Sequence, residues 1–301
     1  MSWKLVAQAP KPVVQAALAA HEALDEWDPE IVLTGSEIAK ERPNEWRLEA
    51  YLPHRPRKAD RAAVQALFAA GPPDLAAEKL PETDWVVETQ KRIEPIRTGS
   101  FHVRTPDHPA TARGDTIDLV IPAAQAFGTG QHATTAGCLA MLDAMKRRGV
   151  AVRNLADSGT GTGLLAFAAL ALWPRAQAVA GDIDAVCEPV VAENARLNAV
   201  PLGTQRGALA MVVAEGMDHP LLQARAPYDL VIANILAGPL VALALDFAEA
   251  VAPRGHLLLA GLLTKQEPAV RAAYRTAGFR LAARLVDGDW SILWLRRRSV
   301  G

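Results

Sequence analysis

The sequence predicts a two-domain α/β protein: a doubly wound, mostly parallel sheet closed by an antiparallel C-terminal hairpin, preceded by a smaller α+β domain. The 301 residues exceed the ~100–200 residues of a usual single domain. From residue 115 onward, apolar strand-like segments alternate with helical ones, which is typical of parallel strands buried on both faces. Asp287-Gly288 then separates two further strand-like segments, and this dipeptide favours a hairpin turn.

Residues 1–80 predict the smaller domain. The expected strands are 3–9, 31–33, 46–52 and 75–80, and the expected helices are 12–27 and 58–70. This order approaches βαββαβ, a ferredoxin-like α+β sandwich. Residues 81–115 are rich in proline and glycine, which predicts a linker region with one or two short strands.

Residues 116–301 predict the larger domain. Its buried parallel strands are expected at 152–156, 178–181, 208–213, 230–233 and 257–260, and its hairpin strands at 279–286 and 290–295. Right-handed crossovers through the intervening helices join parallel strands of this kind. An antiparallel hairpin at one edge argues against a dinucleotide-binding sheet, which usually stays parallel.

The composition narrows the classes of function. Half of the residues are hydrophobic and 22% are charged, as in globular proteins. The formal net charge of -1 predicts no direct nucleic-acid binding, and the basic run 296–298 is interpreted as a solvated tail. Cys138 and Cys187 lie far apart without a Cys/His cluster, which predicts no disulfide and no metal site. The sequence contains no recognisable signal peptide or membrane span, so a cytoplasmic protein without a membrane partner is expected.

A glycine-rich turn follows the first strand of the larger domain. Residues 154–163, NLADSGTGTG, lead into a helix predicted over 164–172. Gly159 and Gly161 let the backbone turn sharply and approach a ligand without a Cβ in the way. A dinucleotide fingerprint would place its third glycine where Leu164 stands. The turn therefore predicts a cofactor with an amino-acid moiety and no pyrophosphate, unless the glycines only allow tight strand–helix packing.

An acidic residue ends the second strand. Asp182 comes about twenty residues after the glycine turn, where an acidic side chain accepts the hydroxyl protons of a ribose. Asp184 is the competing candidate, but it is expected to cap the helix that begins near Ala185. The alternative is that both aspartates are caps or solvated loop charges.

Asn234 follows the fourth strand, in the segment 234–239, NILAGP. Ligands of open α/β sheets lie beyond the carboxyl ends of the strands. In methyl transfer from a sulfonium cofactor to nitrogen, the amine attacks the methyl carbon only as the neutral base. An amide oxygen and a nearby backbone carbonyl can accept its two N–H bonds and so orient the lone pair. Asn234 is therefore the predicted catalytic residue, facing the sulfonium of the cofactor. The alternative is that it only caps the following helix.

Upstream, residues 126–135, AFGTGQHATT, precede a helix predicted over 136–148. Thr134 and Thr135 are suited to capping that helix. No role is predicted for His132, because a lone loop histidine is more often a hydrogen-bonded structural residue.

These segments resemble the PrmA family, the methyltransferases of ribosomal protein L11. The resemblance covers about residues 84–301 and rests on the segments 126–135, 157–163, 182–184, 233–239 and 273–279. It implies the class I S-adenosylmethionine-dependent methyltransferase fold. It also implies that S-adenosylmethionine contacts Thr135, Gly159, Asp182 and Asn234, to which the glycine turn adds Gly161.

The resemblance further implies the reaction. The family methylates lysine side chains and the N-terminal amine of this protein of the ribosomal stalk base, which the small N-terminal domain holds. Three alternatives stay open: a diverged N-methyltransferase for another protein amine, a non-catalytic cofactor-binding module, and a nicotinamide-dependent dehydrogenase, which Leu164 disfavours.

Overall fold

The structure, a computed structural model, describes residues 3–22, 27–28, 31–38, 42, 44–69, 73–79, 94–110, 114–122 and 131–299. The chain forms two compact units, Met1–Trp85 and Val86–Gly301. The domain limits at residues 80 and 115 remain a prediction. Several predicted segments lie outside the described residues: the helix ends at 23–26 and 70, the strand end at 80, residues 81–93 and 111–113 of the linker, and residues 126–130.

The first unit is an antiparallel sheet packed against two helices. Its elements are β1 (Trp3–Pro10), α1 (Lys11–Glu22), β2 (Val32–Glu37), β3 (Glu45–Leu52), α2 (Lys58–Ala66) and β4 (Ala76–Lys79). The strand order is β2-β3-β1-β4. Val14 of α1 and Val64 of α2 are buried against Leu5 and Leu48 of the sheet. The ferredoxin-like βαββαβ arrangement is thereby confirmed.

The second unit begins with a small sheet of three strands. These strands are β5 (Ile96–Thr98), β6 (Phe101–Arg104) and β7 (Ile117–Val120). The first two are the short strands predicted for the linker region. β6 and β7 are parallel, and β7 was not predicted.

A seven-stranded sheet with helices between its strands forms the rest of this unit. Its elements are α3 (Gln131–Arg147), β8 (Asn154–Ser158), α4 (Leu164–Leu172), β9 (Gln177–Asp182), α5 (Cys187–Leu197), β10 (Leu209–Val213), α6 (Pro220–Arg225), β11 (Tyr228–Asn234), α7 (Ala237–Ala242), α8 (Ala244–Ala250), β12 (Val251–Leu263), α9 (Glu267–Thr276), β13 (Phe279–Asp287) and β14 (Trp290–Arg297). The order is β10-β9-β8-β11-β12-β14-β13. The first five strands are parallel, and β14 pairs antiparallel with both neighbours. The predicted doubly wound sheet with its C-terminal hairpin is confirmed.

The strand order reverses between β8 and β11, at the centre of the sheet. Crevices of open α/β sheets that bind ligands lie at this switch, beyond the carboxyl ends of the strands. Both faces of the sheet are covered, because two apolar clusters bury alternate residues of the same strands: Leu230 and Ile232 in one, Val231 and Ala233 in the other. The sheet therefore holds the strand ends in a fixed register.

The C-terminal basic run is not a solvated tail. Arg296 and Arg297 belong to β14, inside the sheet. The guanidinium of Arg297 donates to the carbonyl of Val251, and Nε of Arg296 donates to the carbonyl of Arg254 at 3.3 Å. The prediction of a solvated tail was wrong for Arg296 and Arg297, because three consecutive arginines give no sign of the apolar strand residues that precede them or of the strands with which they pair.

Candidate cofactor and catalytic site

The glycine turn joins the end of β8 to α4. Gly159 and Gly161 have φ values of 73° and 56°, in the left-handed region that favours glycine. A Cβ on Gly159 would lie 2.2 Å from Cγ2 of Ile235, whereas a Cβ on Gly161 would meet no atom within 4 Å. Gly159 thus allows tight packing against the loop after β11, and Gly161 leaves open space at the strand ends.

Asp182 is bonded directly to this turn. The backbone N–H of Gly161 donates to Oδ2 of Asp182 at 2.8 Å, and the backbone N–H of Asp184 donates to Oδ1 at 3.1 Å. Each carboxylate oxygen has two lone pairs, so acceptor capacity remains for ribose hydroxyls. Asp182 is therefore half-buried beside the turn rather than a solvated loop charge.

Asp184 stabilises the turn that precedes α5. Its Oδ1 accepts the backbone N–H of Val186 at 3.0 Å, one residue before the helix begins at Cys187. The Cys187 thiol next to it has its pKa raised to about 11 by burial and by the charge of Asp182, so it stays protonated at neutral pH. Of the two aspartates, Asp182 alone bonds the glycine turn.

Asn234 lies level with Gly159 and Asp182. Strand β8 pairs with β9 through Ser158↔Gly181 and with β11 through Asp157↔Ile232. The next residues on the three strands therefore end at one level, with neighbouring strands about 5 Å apart. The structure thus brings the glycine turn, the aspartate and the asparagine to one edge of the sheet.

The helix-cap alternative for Asn234 does not hold. Leu236 is the N-cap of α7, and Asn234 is the last residue of β11. Its amide is half-buried at the strand end. The following carbonyl, that of Ile235, is held in place by the close approach of Gly261 on β12. An amide oxygen and a fixed backbone carbonyl therefore lie next to each other along the chain.

The sequence analysis missed Asp157, which precedes the turn. Its side chain is 1% exposed, and Oδ2 accepts the Thr160 hydroxyl at 2.7 Å. Oδ1 is buried without a hydrogen-bond partner among the described residues. Burial raises the pKa of this carboxyl to about 7, although the Thr160 hydroxyl and the Ala166 backbone oppose the rise. An acidic residue at a strand end, directly before the glycines, is the signal that could have identified it.

Thr135 is not shown near the other predicted residues. Helix α3 begins at Gln131, so Thr134 and Thr135 lie within the helix and the predicted capping role is wrong. Within the described part of the chain, no hydrogen bond links Thr135 to Gly159, Asp182 or Asn234. Its cofactor contact remains a prediction.

The residues present fit S-adenosylmethionine. The open space at Gly161 accommodates a ligand close to the backbone, and Asp182 offers lone pairs to a ribose. The orphaned buried oxygen of Asp157 suits an ammonium or amide donor. A carboxyl group directly before the glycine turn, at Asp157, suits the ammonium of an amino-acid moiety better than a pyrophosphate. The fold and the site define a class I S-adenosylmethionine-dependent methyltransferase.

Comparisons with known proteins identify the family. The profile of the family described as Ribosomal protein L11 methyltransferase (PrmA) matches residues 14–298. The protein of that name from Agrobacterium fabrum is 34% identical over 271 residues, 89% of this chain and 90% of the relative. The one from Caulobacter sp. (strain K31) is 38% identical over 253 residues, 84% and 83% of the two chains. The chain belongs to the ribosomal protein L11 methyltransferase (PrmA) family.

A solved structure agrees with this assignment. The ribosomal protein L11 methylase from Lactobacillus delbrueckii subsp. bulgaricus is 26% identical, with a TM-score of 0.56. It covers 68% of this chain, and all of its own length is matched. Within the described residues, no helix is both long and apolar enough to cross a membrane.

Proposed function

We propose that this enzyme transfers methyl groups from S-adenosylmethionine to lysine side chains and the N-terminal amine of ribosomal protein L11. The observation that carries the proposal is the position of Asn234 at the end of β11, level with Gly159 and free of a capping role. The names of the relatives from Agrobacterium fabrum and Caulobacter sp. support the substrate. A ribosomal protein as substrate implies that the reaction takes place in the cytoplasm.

The chemistry requires a neutral, oriented amine. A free lysine has a pKa of ~10.4, so deprotonation near pH 7 costs about 4–5 kcal/mol. Oδ1 of Asn234 and the carbonyl of Ile235 are two acceptors for the two N–H bonds of a neutral amine, and this leaves the lone pair pointing at the methyl group. In this orientation the third N–H of an ammonium would occupy the position of the attacking lone pair, so transfer requires the deprotonated amine.

The remaining site residues hold the cofactor, which supplies an electrophilic methyl group on a sulfonium. Asp182 binds the ribose hydroxyls, and Gly159 and Gly161 shape the turn against which the amino-acid moiety lies. The buried carboxylate of Asp157 accepts a hydrogen bond from the amino group of that moiety. Thr135 completes the cofactor contacts, and the ferredoxin-like unit binds the protein substrate.

The test is transfer of labelled methyl groups to purified L11. We expect Asn234→Ala to lower kcat about 100-fold or more, because the amine loses its orientation, while the Kd for S-adenosylmethionine rises much less, because Asn234 is one of several proposed cofactor contacts. Gln223→Ala, at an exposed amide on α6 of the second unit, is the control and should leave both values unchanged.

Other outcomes would contradict the proposal. Cofactor binding without transfer to any amine would show a non-catalytic binding module. Transfer to another protein but not to L11 would show a diverged N-methyltransferase. Full activity of Asn234→Ala on L11 would remove the role of the asparagine.

A further inference from the structure

Two adjoining grooves of the second unit are lined by arginines. The larger groove, of about 680 Å³, lies between α9 and the β13–β14 hairpin, and the smaller has about 410 Å³. Arg280 and Arg298 line both of them. Six of the lining arginines have no carboxylate partner in the described part of the chain, and we call them the arginine face: Arg254, Arg275, Arg280, Arg296, Arg297 and Arg298.

The acidic group nearby is already occupied. Glu267 is the one acidic residue among the described residues that line the two grooves. Its carboxylate accepts from Arg284 at 2.7 Å, from Arg271 at 3.2 Å and from the Ser291 hydroxyl at 2.7 Å. These three hydrogen-bond donors occupy the carboxylate of Glu267 within the larger groove. The arginine face therefore has no internal counter-charge.

This arrangement works against stability. Arg280 of β13 lies directly opposite Arg296 of β14 in the antiparallel register, and like charges in such pairs are destabilising. Arg254 has a φ of 64°, in the left-handed region, where a non-glycine residue is strained. An anionic partner would offset the repulsion between Arg280 and Arg296.

Protection of a sheet edge does not explain the arginine face. Charged side chains on an edge strand do prevent pairing with other chains, and β13 is an edge strand. Of the six arginines, only Arg280 belongs to β13. Arg275 lies on α9, Arg254 on β12, and Arg296 and Arg297 on β14.

We propose that the arginine face binds the phosphate backbone of a nucleic-acid duplex. Guanidinium groups pair with phosphate oxygens in a bidentate manner. The arginines extend over β13, β14 and β12, about 10 Å across the sheet, which matches several phosphates rather than one.

The lining of the grooves exposes little apolar surface, which favours a nucleic-acid duplex over a protein or a single strand as the partner. Leu281, 37% exposed, is the one large exposed hydrophobic residue among the described lining residues. A protein partner would require aromatic or aliphatic anchors at the centre of its interface. Single strands bind by stacking bases on exposed aromatic rings, but Tyr274 and Phe279 in the larger groove are both 1% exposed.

The proposal departs from the expectation based on a net charge of -1. Net charge averages over the whole surface, whereas the fold gathers the six arginines of the arginine face on one side of the second unit. The sequence-independent binding of phosphates depends on the local field.

The test measures binding of short RNA and DNA duplexes of mixed sequence to the full chain at several salt concentrations. We expect salt-dependent binding with a Kd of about 10⁻⁴–10⁻⁶ M near physiological salt. The double variant Arg280→Gln/Arg298→Gln should weaken binding about tenfold and reduce the slope of log Kobs against log salt by about 2. Arg175→Gln/Arg206→Gln removes two exposed arginines elsewhere in the same unit and should leave binding unchanged.

Each further outcome decides the question. Stronger binding of RNA than of DNA identifies contacts to 2′-hydroxyls in addition to phosphates and supports the proposal, as does equal binding. Equal loss in the two double variants, no binding at low salt, or competition by polyglutamate as strong as by duplex would overturn it. Thermal unfolding of the double variant distinguishes loss of binding from misfolding. Removing the Arg280–Arg296 repulsion should raise the thermal midpoint, whereas misfolding would lower it. Methyl transfer to L11 should be unaffected by the variant, so the two proposals fail separately.

Discussion

Gly261 and Ile235 meet backbone to backbone: a Cβ on Gly261 would lie 2.3 Å from the carbonyl oxygen of Ile235. The φ of Gly261 is 83°, so this position also favours glycine by conformation. Strand β12 thus fixes the carbonyl that follows Asn234.

Gly261→Ala should therefore impair methyl transfer more than cofactor binding. The added methyl group pushes the Ile235 carbonyl away, and a displacement of about 1 Å at a reacting group lowers the rate about 100-fold. We expect kcat for L11 to fall by this order while the Kd for S-adenosylmethionine changes little. Gly278→Ala is the control, because Gly278 also has a positive φ, 90°, but open space around it. Equal losses in both variants would show that conformation, not the contact with Ile235, matters.

Asp182→Ala should weaken cofactor binding. The substitution removes the acceptor for the Gly161 N–H and the proposed acceptor for the ribose, and hydrogen bonds to a charged group contribute about 1.5–3 kcal/mol. The expected loss of affinity for S-adenosylmethionine is about 10- to 100-fold by calorimetry. Asp184→Ala removes only the bond to Val186 and should retain most of the affinity. The reverse ranking would transfer the ribose contact to Asp184.

Asp157→Asn should stabilise the cofactor-free enzyme at alkaline pH. Burial raises the pKa of this carboxyl to about 7 from an ordinary value of 3.8, so the folded state favours the protonated form. The stability that this provides is complete below about pH 4 and is lost as the pH rises through 7. Asparagine carries no charge to bury, and it keeps an oxygen for the Thr160 hydroxyl.

The measurement is the thermal midpoint of both proteins from pH 4 to pH 9. We expect the variant to be more stable at pH 8 by about 2 kcal/mol or more, with no difference near pH 4. Asp229→Asn, at a half-buried carboxylate that accepts backbone N–H groups of Arg153 and Asn154, should give no such gain. A constant difference at all pH values would contradict the titration of Asp157. Affinity for S-adenosylmethionine should fall at the same time if the carboxylate accepts its amino group.

Glu267→Gln should destabilise the second unit. The carboxylate is 4% exposed and bonds Arg284, Arg271 and Ser291, which join α9 to both hairpin strands. Glutamine loses the charge-assisted hydrogen bonds from Arg284 and Arg271, and hydrogen bonds to a charged group contribute about 1.5–3 kcal/mol, so the denaturant midpoint should fall. The matched substitution Glu193→Gln breaks the exposed pair with Arg196 and should leave the denaturant midpoint nearly unchanged.

The pH dependence of this contribution has the opposite sign to that of Asp157. Burial alone would raise the pKa of Glu267, but the hydrogen bonds from Ser291 and Arg284 outweigh it and lower the pKa. Its stabilisation is therefore present above the ordinary value of 4.5 and is lost as the pH falls through the lowered pKa. An acid titration of wild type and variant should show the two unfolding curves converge at low pH.

The sequence was sufficient for the order of the elements in the first unit and for the order of the strands of the large sheet in the second, but not for β7. Helix α4 was predicted at its observed limits, because glycine bounds it before Leu164 and its apolar run ends at Leu172. Strand β12, by contrast, extends from Val251 to Leu263, far beyond the predicted 257–260. Arg254, His256 and Gly261 among its outer residues are polar or have a positive φ. Pairing with β14 includes His256, Leu262 and Leu263 in the strand, and pairing with β11 includes Val251.

The site was predictable where one residue follows one strand. Asp182 and Asn234 each end a buried apolar segment, and the register of parallel strands brings such ends together. The start of α3 and the unpartnered oxygen of Asp157 depend on tertiary contacts, which local sequence does not show. The arginine face was not predicted for the same reason: tertiary contacts bring its members together from three strands, a helix and the residue after β14.

The shared level of Asp182, Gly159 and Asn234 has a consequence for how such enzymes diversify. In the proposed site, the ribose contact at Asp182 and the amine contact at Asn234 are two interstrand steps apart, a distance set by the main-chain hydrogen bonds of the parallel sheet. Related enzymes can therefore differ in the loops that select the methyl acceptor, while the distance between the ribose contact and the reacting nitrogen stays the same.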